Sequence, residues 1–352
     1  MATRFLAERP PLEPLSALET IGIRSSTEVQ HREVLEGFVA YCSLNRLDWN
    51  DFVQLGAAVT RFLNRQFIEG APSSQGSLLL AALAHFLPGL QGPWEAQLPR
   101  GTRSSTAWQR RVPAMTRVPL PYFAAAALAG MLAVSGRRRV AIWALPTFSC
   151  YLGPFEAQGL RGAFLLRPVG QAASSAGGWA LLLRPTSGGR PGKTGLCNES
   201  AVIDLDQHLW PLLAGPRGAA ALDQSLWDFT LPALREQFSR FANAIELHAL
   251  DPSLYSLRHG GASWDLQAGR RSLGQTQRRG RWASPGSIER YAKEAYLQDA
   301  MTRVPDWALV LGRIVHANLL EIVELGPGLQ QCSRVRQLLP EAARALIVAE
   351  LP

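Results

Sequence analysis

From Glu28 onward the apolar residues fall at helical spacings, and that period decides what the early part of the chain can become. Val34, Leu35, Phe38 and Tyr41-Cys42 make one stripe; Phe52, Leu55, Val59, Phe62-Leu63 and Phe67 make a second. Residues three and four apart share a helix face, so each stripe predicts an amphipathic helix that must bury against a neighbour. Asp48 or Asn50 can cap the second helix, and Gly70 can end it. A third helix is expected over about 76–86, stopping before Pro88. Residues 29–97 are thus expected to form a small all-helical domain, behind a proline-rich, weakly patterned lead-in over 1–28.

The pattern then changes. Residues 98–119 read as a basic linker: Arg100, Arg103, Arg110, Arg111 and Arg117 occur without one acidic residue. Such a run is either a solvated loop or a strap along phosphates, where each contact adds salt-dependent affinity. Residues 120–295 read as a mixed domain. Helices are expected over 120–135, 139–150 and 223–248, with strand-like pieces over 162–168 and 179–184 and a turn-rich segment over 185–198. The remainder, 296–352, reads as a helical extension able to pack on this chain or on a second copy. It holds a helix over 306–325 closed by Gly326-Pro327. The expected fold class is mostly α with a small β-sheet, α+β.

With 47% apolar and 18% charged residues, a chain of 352 residues can bury substantial cores in two or three domains. The most apolar run, Tyr122 to Ser135, is too short to cross a bilayer and is followed by Arg137-Arg138-Arg139, so a buried helix is expected. The first residues, MATRFLAERPPLEP, lack a signal-peptide core, and an intracellular protein is expected, nuclear if eukaryotic. Cys42, Cys150, Cys197 and Cys332 are scattered with no CxxC pair, which supports neither a metal site nor a disulfide framework. A net charge of +8 suits a polyanion such as nucleic acid. All but two of the 36 basic residues are arginine, so lysine-specific chemistry has only Lys193 and Lys293 to call on.

The densest constellation lies at Leu254 to Tyr291: LYSLRHGGASWDLQAGRRSLGQTQRRGRWASPGSIERY. It resembles the second catalytic box of the tyrosine recombinase (phage integrase) family. That box runs His-x-x-Arg, about two dozen residues to a His or Trp, then nine more to a nucleophilic tyrosine. Arg258, Trp282 and Tyr291 fall at those spacings, in the flavour that uses Trp. The resemblance spans about 30–295 and is most specific here. It implies a helical core-binding domain and a catalytic domain that clamp double-stranded DNA, no metal and no cofactor. In such enzymes the tyrosine oxygen attacks a phosphodiester, leaving a 3′-phosphotyrosyl link and a free 5′-hydroxyl. Arginines must then neutralise the phosphorane, which the planar guanidinium fork suits.

By this resemblance Tyr291 is the nucleophile, Arg258 a phosphate clamp and Trp282 a hydrogen-bond donor to a non-bridging oxygen. Tyr296 is a weaker candidate nucleophile because its spacing from Trp282 is wrong. The family's general acid is a lysine on a β-hairpin, and Lys193 in SGGRPGKTG would fill that role or be an ordinary turn lysine. The stretch Gly188 to Thr194 falls one residue short of a phosphate-binding loop, and Pro191 removes an amide such a loop needs, so nucleotide binding is not expected. Arg270, Arg271, Arg278, Arg279 and Arg281 crowd the box with no acid between Asp265 and Glu289. They are expected to contact the DNA backbone rather than form a merely solvated face.

Two positions depart from the family. Its first box supplies a second clamping arginine in a segment like Leu-Arg-x-x-Glu-Leu. Here the matching segment is Tyr151-Leu152-Gly153-Pro154-Phe155-Glu156, in which Glu156 agrees but Gly153 stands at the arginine position. Arg161 lies too far along to replace it. Tyr255 stands where the family has a histidine, and tyrosine is a poor base near neutral pH; the neighbouring His259 is more often a structural residue. Losing one preorganised donor lowers a rate about a hundred- to a thousandfold, so strand breakage should be impaired while phosphate affinity falls less. Two rivals share these features in part: a type IB topoisomerase-like nicking activity and an inert DNA-binding or protein-interaction domain. Assembly of several copies on DNA is compatible with the resemblance.

Overall fold

The computed structural model describes residues 25–49, 51–87, 98–113, 118–166, 179–183, 198–203, 209–219, 222–284, 286–289, 294–330 and 337–350. The chain divides into two compact units, Met1–Thr116 and Arg117–Pro352. Among the described residues it is mostly helical with one three-stranded antiparallel sheet.

Among the described residues the first unit holds four helices, α1 (Ser25–Leu44), α2 (Phe52–Ile68), α3 (Ser74–Phe86) and α4 (Pro99–Arg111). The stripes expected from the sequence meet in its core: Leu35, Phe38 and Cys42 of α1 pack with Leu55, Val59, Phe62 and Leu63 of α2 and with Leu79 and Leu83 of α3. Asp51, rather than Asp48 or Asn50, caps α2, its side chain accepting from the Val53 and Gln54 amides. Gly70 ends this region in a left-handed conformation, φ 77°. The segment expected as a linker departs from expectation, because 99–111 is helical and belongs to this unit. Leu98 and Trp108 are buried in the same core. The apolar positions of α4 are few and widely spaced, which hides its period beneath the arginines.

The second unit is built around α5 (Tyr122–Val134), whose side chains from Ala124 through Val134 are all buried. A helix that is apolar all round belongs inside a domain, and α5 is enclosed on several sides. The elements that follow are α6 (Arg138–Ser149), α7 (Pro154–Gln158), β1 (Leu165–Leu166), β2 (Trp179–Leu183), β3 (Glu199–Ile203), α8 (Leu209–Ala219) and α9 (Leu231–Ala244). Then come α10 (Leu254–Gln267), α11 (Leu273–Gly280), α12 (Gly286–Glu289), α13 (Glu294–Thr302), α14 (Asp306–Ala317), α15 (Leu319–Leu325) and α16 (Glu341–Glu350).

In the sheet, β2 lies between β1 and β3, with Leu181 opposite both Leu165 and Ala201. Leu181, Leu183, Ala201 and Ile203 are buried on one face, the alternation of a half-covered sheet. Strand β3 has no counterpart among the elements expected from the sequence. The tail is no separate extension: Leu311, Val315, Leu319, Ile322 and Ile347 join the α5 core. The helix expected over 306–325 is broken at Asn318, whose side chain donates to the Ile314 carbonyl. Among the described residues, no helix is long and apolar enough to cross a membrane.

Helix α10 packs unusually close to its neighbours. A Cβ on Gly260 would lie 2.0 Å from the Leu120 carbonyl oxygen, and one on Gly261 would lie 2.0 Å from that of Phe148. The Gly-Gly pair of the sequence motif is therefore required by backbone-to-backbone contact.

Candidate functional site

Two segments a hundred residues apart in sequence meet at one carboxylate. Tyr151, in the left-handed region at φ 48°, turns the chain from α6 towards α7, and Glu156 in the first turn of α7 folds back to accept from the Gly153 amide at 2.6 Å. The same oxygen, Glu156 Oε2, accepts from Arg258 Nη1 at 3.0 Å and from Arg281 Nη2 at 2.9 Å. All three side chains are largely withdrawn from water: Glu156 is 7% exposed, Arg258 13% and Arg281 5%.

Arg258 is held on three sides. Besides Glu156, its Nη2 donates to the Gly280 carbonyl at 2.6 Å, and its guanidinium lies 5.1 Å from the centre of the Trp282 ring. The indole in turn stacks on Tyr151 at 6.2 Å. Gly280 makes this possible, because a Cβ there would sit 2.0 Å from the Trp282 ring.

Arg281 is a buried strut. It closes α11 in the left-handed region at φ 56°, where a side chain is uncommon. Its Nη1 donates to the Arg279 carbonyl at 2.7 Å and its Nη2 to the Tyr151 carbonyl at 3.1 Å, in addition to Glu156. Its Nε is buried without an acceptor among the described residues. Burial pushes this guanidinium below its ordinary pKa, with Glu156 opposing the shift and Arg258 adding to it.

A second buried carboxylate lies close by. Asp265 Oδ2 accepts from the Tyr151 hydroxyl at 2.5 Å and from Arg271 Nε at 2.9 Å. Burial, then the Asp265 charge, hold the Tyr151 phenol well above its ordinary range, so it stays protonated. Arg279 ties α11 to two other elements, donating to the Ser149 carbonyl at 2.9 Å and to that of Val202 at 2.8 Å.

The structure thus brings together Arg258, Trp282 and Glu156, with Gly153 directly alongside. Tyr255 is 37% exposed, one helical turn before Arg258. Lys193, Tyr291 and Arg117 lie outside the described residues. Tyr296 is half-buried on α13. Of the arginines expected on a DNA backbone, Arg100, Arg103, Arg110 and Arg111 are exposed on α4, and Arg270 and Arg278 are exposed around α11. Arg271, Arg279 and Arg281 depart from that expectation, because their donors are turned inward to carboxylates and carbonyls. Two further members of the cluster, Tyr151 and Asp265, are not among the residues that the sequence singles out for a role. Asp265 stands seven residues after Arg258, two helical turns along the same side of α10, and that spacing is the one signal that points to it.

Among the described residues, no group of three or more His, Cys, Asp and Glu side chains is placed to hold a metal ion. Compared with known protein families and with curated proteins, the chain matches none.

Proposed function

We propose that this chain is a DNA-binding protein with a tyrosine-recombinase-type site, in which strand breakage and rejoining are impaired. One observation carries the proposal. Segments 151–156 and 258–282, picked out by motif spacing alone, converge so that Arg258 lies 3.0 Å from Glu156 and stacks against Trp282. A guanidinium fixed by a carboxylate, a carbonyl and an indole is preorganised for an oxyanion, which is what phosphoryl transfer without a metal requires. Tyr291 would be the nucleophile and Lys193 the general acid, on the strength of the sequence resemblance.

Impairment follows from two residues. Gly153 offers no guanidinium at the first-box position, and Tyr255 offers no imidazole. The test is a suicide DNA substrate that traps a covalent adduct. Adduct formation abolished by Tyr291→Phe supports cleavage by this tyrosine. DNA binding that weakens steeply with salt, without any adduct, favours the inert DNA-binding alternative. Salt-insensitive binding would sink both.

A further inference from the structure

The cluster holds two guanidinium groups on one carboxylate even though position 153 is glycine. We propose that Arg281 stands in for the missing first-box arginine, as a positioning residue that draws part of the Glu156 charge away from Arg258. Arg258 is thereby left with a net positive field for one phosphate group. The inference rests on the phosphate-handling function proposed above.

Charge sharing is the first support. One guanidinium paired with one carboxylate is nearly neutral to a third charge, whereas two guanidinium groups on the same oxygen leave a net cation. Glu156 Oε2 meets both at about equal distance, 3.0 Å from Arg258 and 2.9 Å from Arg281. Exposures of 5–13% for the three side chains mean that water and salt screen this field poorly. Glu199 at the start of β3 attracts Arg281 more weakly and offsets a small part of that field.

Arg281 is 5% exposed and its one donor unpaired among the described residues, Nε, is buried, which leaves it no direct role. Its terminal nitrogens are engaged by Glu156 and by the carbonyls of Arg279 and Tyr151. Arg281 therefore acts through Glu156 and does not touch the phosphate. A non-glycine residue in the αL backbone at 281 costs about 1 kcal/mol.

Space at Gly153 completes the case. A Cβ on Gly153 would lie 3.3 Å from Glu156 Oε2 and 3.6 Å from Arg258 Nη1. An arginine grown from that position would approach the same carboxylate that Arg281 already uses. By this exchange a second cation reaches Glu156 from 153 or from 281, and one from each would crowd the carboxylate and Arg258.

The experiment is a two-by-two set in the full chain: Gly153→Arg and Arg281→Gln, singly and together. Thermal unfolding is followed with and without inorganic phosphate, and Arg258→Gln subtracts the general stabilisation that phosphate gives any protein. Arg281→Gln should lower Tm and weaken the phosphate response about tenfold. Gly153→Arg should lower Tm in the native background, yet raise Tm and restore the phosphate response in the Arg281→Gln background. An effect of the same sign in both backgrounds overturns the exchange. Sign reversal in Tm with no phosphate response in any chain keeps the exchange and removes the phosphate-handling function. Arg281→Lys gives a second measurement, since it keeps the charge but loses the fork. It should retain the response at a lower Tm, and a folded Arg281→Lys chain without the response overturns the electrostatic role.

Discussion

Between Pro99 and Arg111 four arginines stand exposed on one helix, whereas between Arg270 and Arg281 three of the five turn into the protein. Both stretches are free of acids in sequence, and both invite the same expectation of phosphate contact. What separates them is the presence of buried acceptors within reach. Around α11 the turn at 149–151, the edge of β3, Asp265 and Glu156 present carbonyls and carboxylates that need donors. On α4, Arg103 reaches, among the described residues, only a carbonyl of its own helix, that of Pro99. Charge density in a sequence therefore indicates how many cations there are; the acceptors brought by the fold decide where they point.

The contrast can be broken most decisively at Asp265. Asp265→Ala leaves Arg271 and the Tyr151 hydroxyl without their shared acceptor, and breaking a buried pair in this way costs about 3–5 kcal/mol. In urea unfolding followed for each unit separately, Asp265→Ala should show that loss in the second unit, whereas Arg110→Ala should shift the stability of the first by no more than about 0.5 kcal/mol. Equal effects of the two substitutions would erase the distinction. Next in size is the quadruple exchange of Arg100, Arg103, Arg110 and Arg111 to Gln. It should flatten the slope of log affinity for duplex DNA against log salt by roughly 0.9 for each phosphate no longer neutralised, with little change in Tm. Arg279→Gln should do the reverse, lowering Tm with a smaller change in slope.

A third test sharpens the inward half alone. Gly280→Ala drives a methyl into the Trp282 ring and should cost about 1–3 kcal/mol, read by thermal unfolding together with near-ultraviolet circular dichroism. An unchanged aromatic signal would show that the indole is not locked over Arg258.

The smallest effect distinguishes the units by pH. Burial, with His85 beside it at a ring separation of 5.9 Å, holds His31 below its ordinary value of 6.5. The unfolded chain then takes up that proton more readily than the folded one, so this contribution to stability is complete above about pH 6.5 and declines as pH falls below it. His31→Leu should make the first unit less sensitive to acid between about pH 7 and 5, followed by the circular dichroism of its unfolding transition. Unaltered acid sensitivity would mean that other groups govern it.

How far the sequence can be read depends on whether a period or a packing partner writes the signal. Helices α1 and α2 announce themselves because Leu35, Phe38, Leu55 and Val59 repeat along one face. Helix α4 does not, because Leu98 and Trp108 carry its burial almost alone among arginines. Strand β3 has Ala201 and Ile203 inward but only five residues in which to alternate, and it follows a turn-rich stretch. At the site, Arg258, Trp282 and Glu156 are legible through motif spacing. The inward turn of Arg279 and Arg281 is not, because it depends on carbonyls at 149–151 and 202 supplied by distant parts of the chain, and that of Arg271 depends on a carboxylate, Asp265, that the fold has buried. The break at Asn318 likewise has no proline or glycine to announce it.

Much of what encloses helix α5 follows it far along the chain. Its Tyr122 hydroxyl bonds to His316, 194 residues away, and α14 and α15 supply Leu311, Val315 and Ile322 to cover its apolar sides. On the ribosome the sides of α5 that α6 does not cover must wait until residues 306–325 have emerged. Such long-range closure slows folding and invites aggregation of nascent chains. A premature stop codon anywhere before about residue 325 should therefore be as damaging as a hole in the centre of the core, and yield should depend on chaperone supply far more than on any single surface arginine.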